Sequence, residues 1–136
     1  MIGYETLKNW AIRLNDRQND TTDSTIYDQR MCMGWGQING DGVSRGQLET
    51  VTFPITFDNN PVVIVSFIGA IVGSAANSID DFVTGSYTVN AVCDSITTTN
   101  FVARIARNST DGGDPGVLTS GTRYGYSWIA IGTSAI

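Results

Sequence analysis

The sequence contains no histidine, and its 136 residues include only two cysteines and three prolines. Without histidine, the chain lacks the commonest general base near neutral pH and the commonest side-chain ligand of transition metals. Ser-His-Asp and Cys-His catalytic groups and histidine-bound metal sites are therefore excluded. Cys32 and Cys93 lie far apart among apolar neighbours. We expect buried free thiols, with a disulfide as the alternative.

Charged residues are scarce as well, at 15% of the chain, compared with about 25% in an average globular protein. Eight basic residues stand against thirteen acidic ones, so the net charge is −5. Such a chain has no basic stripe to neutralise phosphates or anionic lipids, and we expect neither nucleic acid nor a membrane surface as a partner. The longest apolar stretch, residues 62–72, is too short to span a bilayer, and no secretion signal is visible.

Leucine occurs only four times, whereas Val, Ile and Thr make up roughly a third of the chain, a balance that favours β-strands over helices. The length corresponds to one domain that is large enough to bury a core. Alternating apolar and polar residues predict six strands of an antiparallel β-sandwich. We expect these strands at about residues 27–38, 48–57, 62–68, 83–93, 101–106 and 123–132.

The N-terminal segment has a different pattern. Leu7, Trp10, Ala11 and Leu14 are spaced at i, i+3, i+4 and i+7, which predicts a short amphipathic helix over residues 5–16. Residues 17–25 are uniformly polar and have the composition of a linker. We therefore divide the chain into an N-terminal helix and linker, residues 1–25, and a β-sandwich head, residues 26–136. The helix is too short to be stable alone, so its apolar stripe needs the head or other subunits.

The third and last predicted strands are apolar on both faces, although a small sandwich normally exposes one face of each sheet to water. Self-association would cover the outward-facing residues, and we expect a homotrimer. The alternative is a strand buried between the two sheets of one monomer. The outward-facing set is Val62, Ile64, Ile68, Ile129 and Ile131.

Three predicted connections are long, at residues 39–47, 69–82 and 108–122, and they are rich in Gly, Asn, Asp and Ser. The connections at 58–61 and 94–98 are tight turns. If every strand reverses direction, the three long loops share one end of the domain, opposite residues 1–25. Long loops on a rigid scaffold usually carry binding, so we expect a recognition surface at that end.

Three motifs resemble a known family. They are Gly34-Trp35-Gly36-Gln37, then the segment 51–61 (VTFPITFDNNP), and finally Tyr126-Ser-Trp-Ile-Ala-Ile-Gly132. Together, and in this order, they resemble the C-terminal receptor-binding head of bacteriophage tail fibres, a family that is similar in fold to the H-type lectins. The resemblance covers roughly residues 28–133 and makes the motif residues part of the scaffold.

The resemblance implies a six-stranded trimeric sandwich with an N-terminal stem and host recognition at the distal loops. The expected function is attachment to a bacterial surface receptor without enzymatic activity, and a lectin-like interaction with a glycan is favoured over another kind of receptor. The alternative is a structural trimerisation and folding cap of a fibre that makes no direct contact with the receptor. The remaining expected partner is the rest of the tail fibre, in a virion assembled in the host cytoplasm.

A sugar-binding site needs an aromatic face and nearby Asn, Asp or Arg side chains. Tyr124 has the same parity as Trp128, so core packing is the alternative for this residue. Asp41 and the pair Asp111 and Asp114 lie in Gly/Asp-rich segments that lack calcium-loop spacing, and we expect no metal and no cofactor. The candidate receptor-binding residues in the loops are Asn39, Asp41, Arg45, Asn77, Asp80, Asp81, Asp111, Asp114, Arg123 and Tyr124.

Overall fold

The computed structural model of the chain describes residues 9–13, 29–83, 89–107 and 116–133. These residues form seven strands and a single turn of 3₁₀ helix, Ile79–Asp81. The strands are β1 Asn9–Arg13, β2 Gln29–Asn39, β3 Gly46–Thr52, β4 Val62–Val72, β5 Val89–Ile96, β6 Asn100–Arg107 and β7 Thr122–Thr133.

The strands pair in two antiparallel sheets that pack face to face. One sheet has the strand order β1-β2-β7-β4 and the other has the order β3-β6-β5. All six strands expected from the alternation pattern are present as β2 to β7. The all-β, antiparallel fold class is therefore confirmed.

The core lies between the two sheets and is rich in aromatic side chains. Trp128 and Phe101 face each other across the sandwich with ring centroids 5.3 Å apart, and Phe53 stacks on Phe101 at 5.6 Å. Inward positions of β7 alternate strictly, so Tyr124, Tyr126, Trp128 and Ala130 are all buried. Strand β6 follows the same period-2 rule with Phe101, Ala103 and Ile105. This alternation explains why the sequence pattern located the strands.

The expected N-terminal helix is absent from the described part of its segment. Residues 9–13 form strand β1, which pairs with β2 so that Asn9 lies opposite Gly34 and Arg13 opposite Arg30. A strand edge presents unpaired backbone N–H and C=O groups, and pairing with it overrides a weak helical pattern in so short a segment. The remainder of the predicted helix and the linker, including Leu7 and Leu14, lies outside the described residues.

Several strand boundaries also differ from those expected, and β4 runs on to Val72, four residues beyond its expected end at residue 68. Strand β3 ends at Thr52 and not at residue 57, because the chain leaves the ladder at Phe53 and Pro54, which has no N–H to donate. The backbone N–H groups of Phe53 and Phe57 instead donate to the carbonyls of Thr99 and Thr98 in the β5–β6 turn, each at 2.9 Å. Strand β5 begins at Val89 rather than residue 83, and residues 84–88 lie outside the described ranges.

The described parts of the three long loops lie together at one end of the sandwich, as predicted. The Gly42 N–H donates to the Leu118 carbonyl at 2.8 Å, and the Leu118 N–H donates to the Ser44 carbonyl at 2.9 Å. The Gly73 N–H donates to the Gly121 carbonyl at 2.9 Å. These bonds join the loops that follow β2, β4 and β6. The two shorter connections meet at the opposite end, which part of β1 approaches along β2.

The outer face of the four-stranded sheet is apolar over the half that lies nearer the short turns. The ladder places Met31, Ile131 and Val62 in one cross-strand row, and Met33, Ile129 and Ile64 in the next. We call these six residues the apolar face. Val62 and Ile64 are 66% and 57% exposed, whereas Ile68, which belonged to the predicted outward set, is half-buried.

Both cysteines are free, as expected. Cys32 is completely buried on the inner side of β2, and burial raises the pKa of its thiol to about 12. Cys93 is only half-buried, because it lies on the edge strand β5.

Candidate functional site

Asp41 organises the loop between β2 and β3. One carboxylate oxygen accepts hydrogen bonds from the backbone N–H groups of Val43 and Ser44 at 2.8 and 2.7 Å, and the other accepts from the Ser44 hydroxyl at 2.6 Å. The Ser44 hydroxyl contributes most to lowering the pKa of Asp41. Asn39 and Arg45 are exposed on either side of this loop. The loop is thus held in shape from within by its own carboxylate.

The loop between β4 and β5 folds back over the outer face of the four-stranded sheet. Asp81 accepts hydrogen bonds from the backbone N–H groups of Asn77 and Ser78 at 2.8 and 3.1 Å, which forms a capping box around the 3₁₀ turn. Asp80 is exposed beside it. The candidates in this loop therefore lie on one ordered turn, where the carboxylate of Asp81 serves the fold and Asp80 faces solvent.

The Gln37 side chain anchors this loop to the sheet. Its amide donates to the carbonyl of Ala76 at 3.0 Å and accepts from the Ala76 N–H at 2.8 Å. Phe82 is buried over Gly125, where a methyl group would collide with its ring, and it meets Trp35 edge to face at 5.8 Å. The ring of Phe82 therefore packs against the outer face of the sheet and fixes the loop there.

The last candidates have different surroundings. Arg123 is half-buried on β7 between Asn39 and Ile71, and its Nε is buried without a hydrogen-bond partner among the described residues. Tyr124 is only 2% exposed, and its hydroxyl accepts a hydrogen bond from the Thr119 N–H at 2.9 Å. Tyr124 is therefore a core residue that supports the loop, contrary to the expectation of receptor contact. Asp111 and Asp114 lie outside the described residues.

A cleft of about 340 Å³ opens at the side of the sandwich, between β2 and β3. It is lined by residues 35–37 of β2, residues 49–52 of β3 and Tyr126 of β7. Strand β3 is the edge of its sheet, and β1 pairs only with residues 30–34 of β2. Within the described part of the chain, no strand therefore covers either border of the cleft. Its volume falls within the range of small-molecule pockets.

A tyrosine–glutamate pair lies inside this cleft. The Tyr126 hydroxyl donates to Oε2 of Glu49 at 2.8 Å, and Tyr126 is 1% exposed. Burial, followed by the hydrogen bond to Glu49, raises the pKa of Tyr126 well above its ordinary value, so the phenol remains a donor at neutral pH. Glu49 lies opposite Ala103, at an inward position of β3 where the alternation would place an apolar residue.

Gly36 makes this pair possible. A Cβ atom at residue 36 would overlap the hydroxyl of Tyr126, so only glycine leaves room for the phenol to pass β2 and reach Glu49. Neither Glu49 nor Gly36 was among the candidate residues expected from the sequence. One signal was available, because Glu49 has the same parity as the apolar series that begins at Val51 and Phe53. The partner could not be identified, since Tyr126 is 77 residues away along the chain.

The described residues contain no group of three or more His, Cys, Asp or Glu side chains that could hold a metal ion. Within the same ranges, no helix has the length and apolar character needed to cross a membrane.

Comparisons with known proteins identify the fold. No protein-family model matches the sequence, and no curated protein matches it significantly. The Gp54 tailspike of Acinetobacter baumannii bacteriophage AP22, solved in complex with A. baumannii capsular saccharide, aligns with 77% of this chain at a TM-score of 0.53 and 17% identity. The Pseudomonas phage phi297 tailspike gp61 aligns with 74% of the chain at a TM-score of 0.51 and 17% identity.

The aligned regions amount to only 17% and 15% of those two longer chains. The N-truncated R1-type pyocin tail fibre aligns less well, with a TM-score of 0.43 and 23% identity over 81% of this chain and 82% of that chain. At these identities the two tailspike matches establish a shared fold. The chain is thus an antiparallel β-sandwich of a kind that occurs as one part of phage tailspikes.

Proposed function

We propose that this chain is the receptor-binding head of a phage tail fibre or a similar appendage, which attaches to a bacterial surface glycan without cleaving it. The observation that carries the proposal is the arrangement of the loops. Three loops are tied to one another at one end of a rigid sandwich, while the short turns occupy the other end. Two tailspikes contain domains of the same fold, and one of them was solved with a capsular saccharide.

Among the residues that the structure describes, no pair of carboxylates faces the cleft, and we take this arrangement to favour binding over hydrolysis. Most glycosidases need two carboxyl groups on either side of the scissile bond. The cleft between β2 and β3 is lined by a single carboxylate, that of Glu49. In the described loops, Asp41 and Asp81 use their carboxylate oxygens for hydrogen bonds within their own turns.

A homotrimer is part of the proposal, and the apolar face supports it. Its exposed members, Val62, Ile64, Ile129 and Ile131, are aliphatic, and they form two adjacent rows across β4 and β7, a feature that is uncommon on the surface of a soluble monomer. Three heads would also combine weak individual sites into avid attachment to a repetitive cell surface. The rest of the fibre, on the side of the short turns, would present the loops to the cell from a virion assembled in the host cytoplasm.

The oligomer is tested by size-exclusion chromatography with light scattering. We expect a trimer, and Ile64→Lys should shift it toward monomer because the lysine would introduce charge into the buried face. Leu48→Lys is the matched control, since Leu48 is similarly exposed, at 60%, but lies on the other sheet. A wild-type chain that elutes as a monomer at micromolar concentration would refute the trimer.

Attachment is tested by adsorption of the fluorescently labelled chain to a panel of bacterial strains. Loop-shortened variants distinguish a receptor binder from a structural cap. If the chain is a receptor-binding head, replacing the three long loops by tight turns abolishes adsorption while the sandwich stays folded. If it is only a trimerisation cap, the wild-type chain adsorbs to no strain. Release of reducing ends from host polysaccharide would contradict the non-enzymatic assignment.

A further inference from the structure

The cleft between β2 and β3 has features that packing of the core does not require. A glycine in the middle of β2 and a glutamate at an inward position of β3 each weaken their strands, since glycine contributes no side chain to the core and a partly buried carboxylate needs compensation. Both departures serve one geometry, because Gly36 admits the Tyr126 hydroxyl and this hydroxyl bonds Glu49. An apolar residue at position 49 would close the sandwich at lower cost.

The hydrogen bonding of Glu49 is incomplete. Oε2 accepts from Tyr126, whereas Oε1 has no hydrogen-bond donor among the described residues. A carboxylate accepts through two oxygens with about four lone-pair positions. The half-buried Glu49 therefore retains acceptor capacity directed at the cleft, held in place by a buried donor.

The residues that line the cleft determine whether a charged or a neutral sugar can bind there. The lining contains one carboxylate and no lysine or arginine, and the whole chain carries a net charge of −5. An anionic sugar would be repelled, whereas neutral hydroxyl groups can donate to the carboxylate. Thr50 and Thr52 add hydroxyls along the β3 border, and the Gln37 amide, which is already bonded to Ala76, keeps the β2 border rigid.

We propose that the cleft between β2 and β3 is a binding subsite for a neutral saccharide, in which adjacent sugar hydroxyls donate to Glu49. The subsite is separate from the distal loops, although the bond between Gln37 and Ala76 joins its rim to the β4–β5 loop. It deepens the proposed function by placing contact with a glycan at the side of the head, and to that extent it rests on that function. The evidence for the subsite comes from the residues of the cleft and does not depend on the loop residues chosen from the sequence.

The test is an NMR titration of the ¹⁵N-labelled full chain with D-galactose, D-glucose and N-acetylglucosamine, with D-glucuronic acid as the anionic comparison. We expect saturable shifts of the amide signals of residues 35–37 and 49–52 with at least one neutral sugar and weaker shifts with glucuronate. Glu49→Gln keeps the size of the side chain and an acceptor for Tyr126 but removes the charge. It should weaken binding about tenfold or more, as expected for hydrogen bonds to a charged group.

Asp94→Asn is the matched control, because it removes the same charge from an exposed position on β5, the opposite edge of the same sheet. It should bind like the wild type. The inference is overturned if no neutral sugar shifts these signals, if the shifts occur only in the distal loops, or if Glu49→Gln binds as tightly as the wild type.

Failure of the subsite and failure of the proposed function give different results. A chain that adsorbs to cells but shows no Glu49-dependent sugar binding would refute the subsite and leave the receptor-binding function intact. A chain that binds a neutral sugar in the cleft but adsorbs to no strain would support the subsite and contradict the function.

Discussion

Replacing Tyr126 with phenylalanine isolates the hydrogen bond in the side cleft. The ring is 1% exposed and would be retained, so the substitution removes one hydroxyl without opening a large cavity. The bond that it removes joins a neutral donor to the Glu49 carboxylate at 2.8 Å. Hydrogen bonds to charged groups contribute about 1.5–3 kcal/mol, and we expect a loss of that size in the free energy of unfolding at pH 7.

The pH dependence gives this prediction a specific signature. The pKa of Tyr126 is raised in the folded state, so its contribution to stability is complete below the unfolded value of 10.0 and is lost as the pH rises above it. Each pH unit above 10 should cost the wild type about 1.4 kcal/mol more than the variant. The difference in free energy of unfolding between wild type and variant that is present at pH 7 should therefore fall to zero roughly one to two units above pH 10, near pH 11–12.

The assay is urea unfolding followed by tryptophan fluorescence at a series of pH values, at one fixed protein concentration because oligomer stability depends on concentration. A double-mutant cycle with Glu49→Gln measures the coupling of the two side chains. A loss below about 0.5 kcal/mol at pH 7, which is typical of surface substitutions without a role, would refute the reasoning. So would a difference between wild type and variant that stays constant from pH 7 to pH 11.

Three further predictions concern the loops and the core. Gly125→Ala should displace Phe82 and accelerate protease cleavage within the β4–β5 loop, as mapped by mass spectrometry, while circular dichroism still reports the sandwich. Asp41→Asn should destabilise the β2–β3 loop at pH 7, which can be measured as faster amide hydrogen exchange. Because the pKa of Asp41 is lowered from 3.8, the difference in exchange rate between variant and wild type should disappear once the pH falls through that lowered value. Cys32 should not react with Ellman's reagent at pH 8 until the chain is unfolded, because it is 0% exposed, whereas a native Cys32 that reacts as fast as Cys93 would contradict the burial.

The loop residues chosen from the sequence divide into two groups once the contacts are known. Asp41 and Asp81 hold their own turns together, and Tyr124 belongs to the core. Asn39, Asp80 and the partly unpaired Arg123 remain available at the loop end. Polar turn residues serve structure and binding with the same chemistry, so composition alone does not separate the two roles.

The sequence by itself determined the sandwich. Side chains of a strand alternate between two faces, so β2 to β7 could be recognised from local period-2 patterns, and the lengths of the connections placed the long loops at one end. Four residues of the apolar face, Val62, Ile64, Ile129 and Ile131, were also predictable, because hydrophobic residues occupied both parities of β4 and β7, whereas Met31 and Met33 of β2 were not foreseen.

Only the tertiary structure decided the features that depend on distant partners. Residues 9–13 have the spacing of a helix, but the free edge of β2 supplies backbone partners that no local pattern records, and they form a strand. The side cleft arises where two sheets separate, and its Tyr126–Glu49 bond joins positions 77 residues apart. Local patterns report which face a side chain occupies, whereas a bond across the sandwich depends on how the two sheets pack, and that is settled only when the whole core forms.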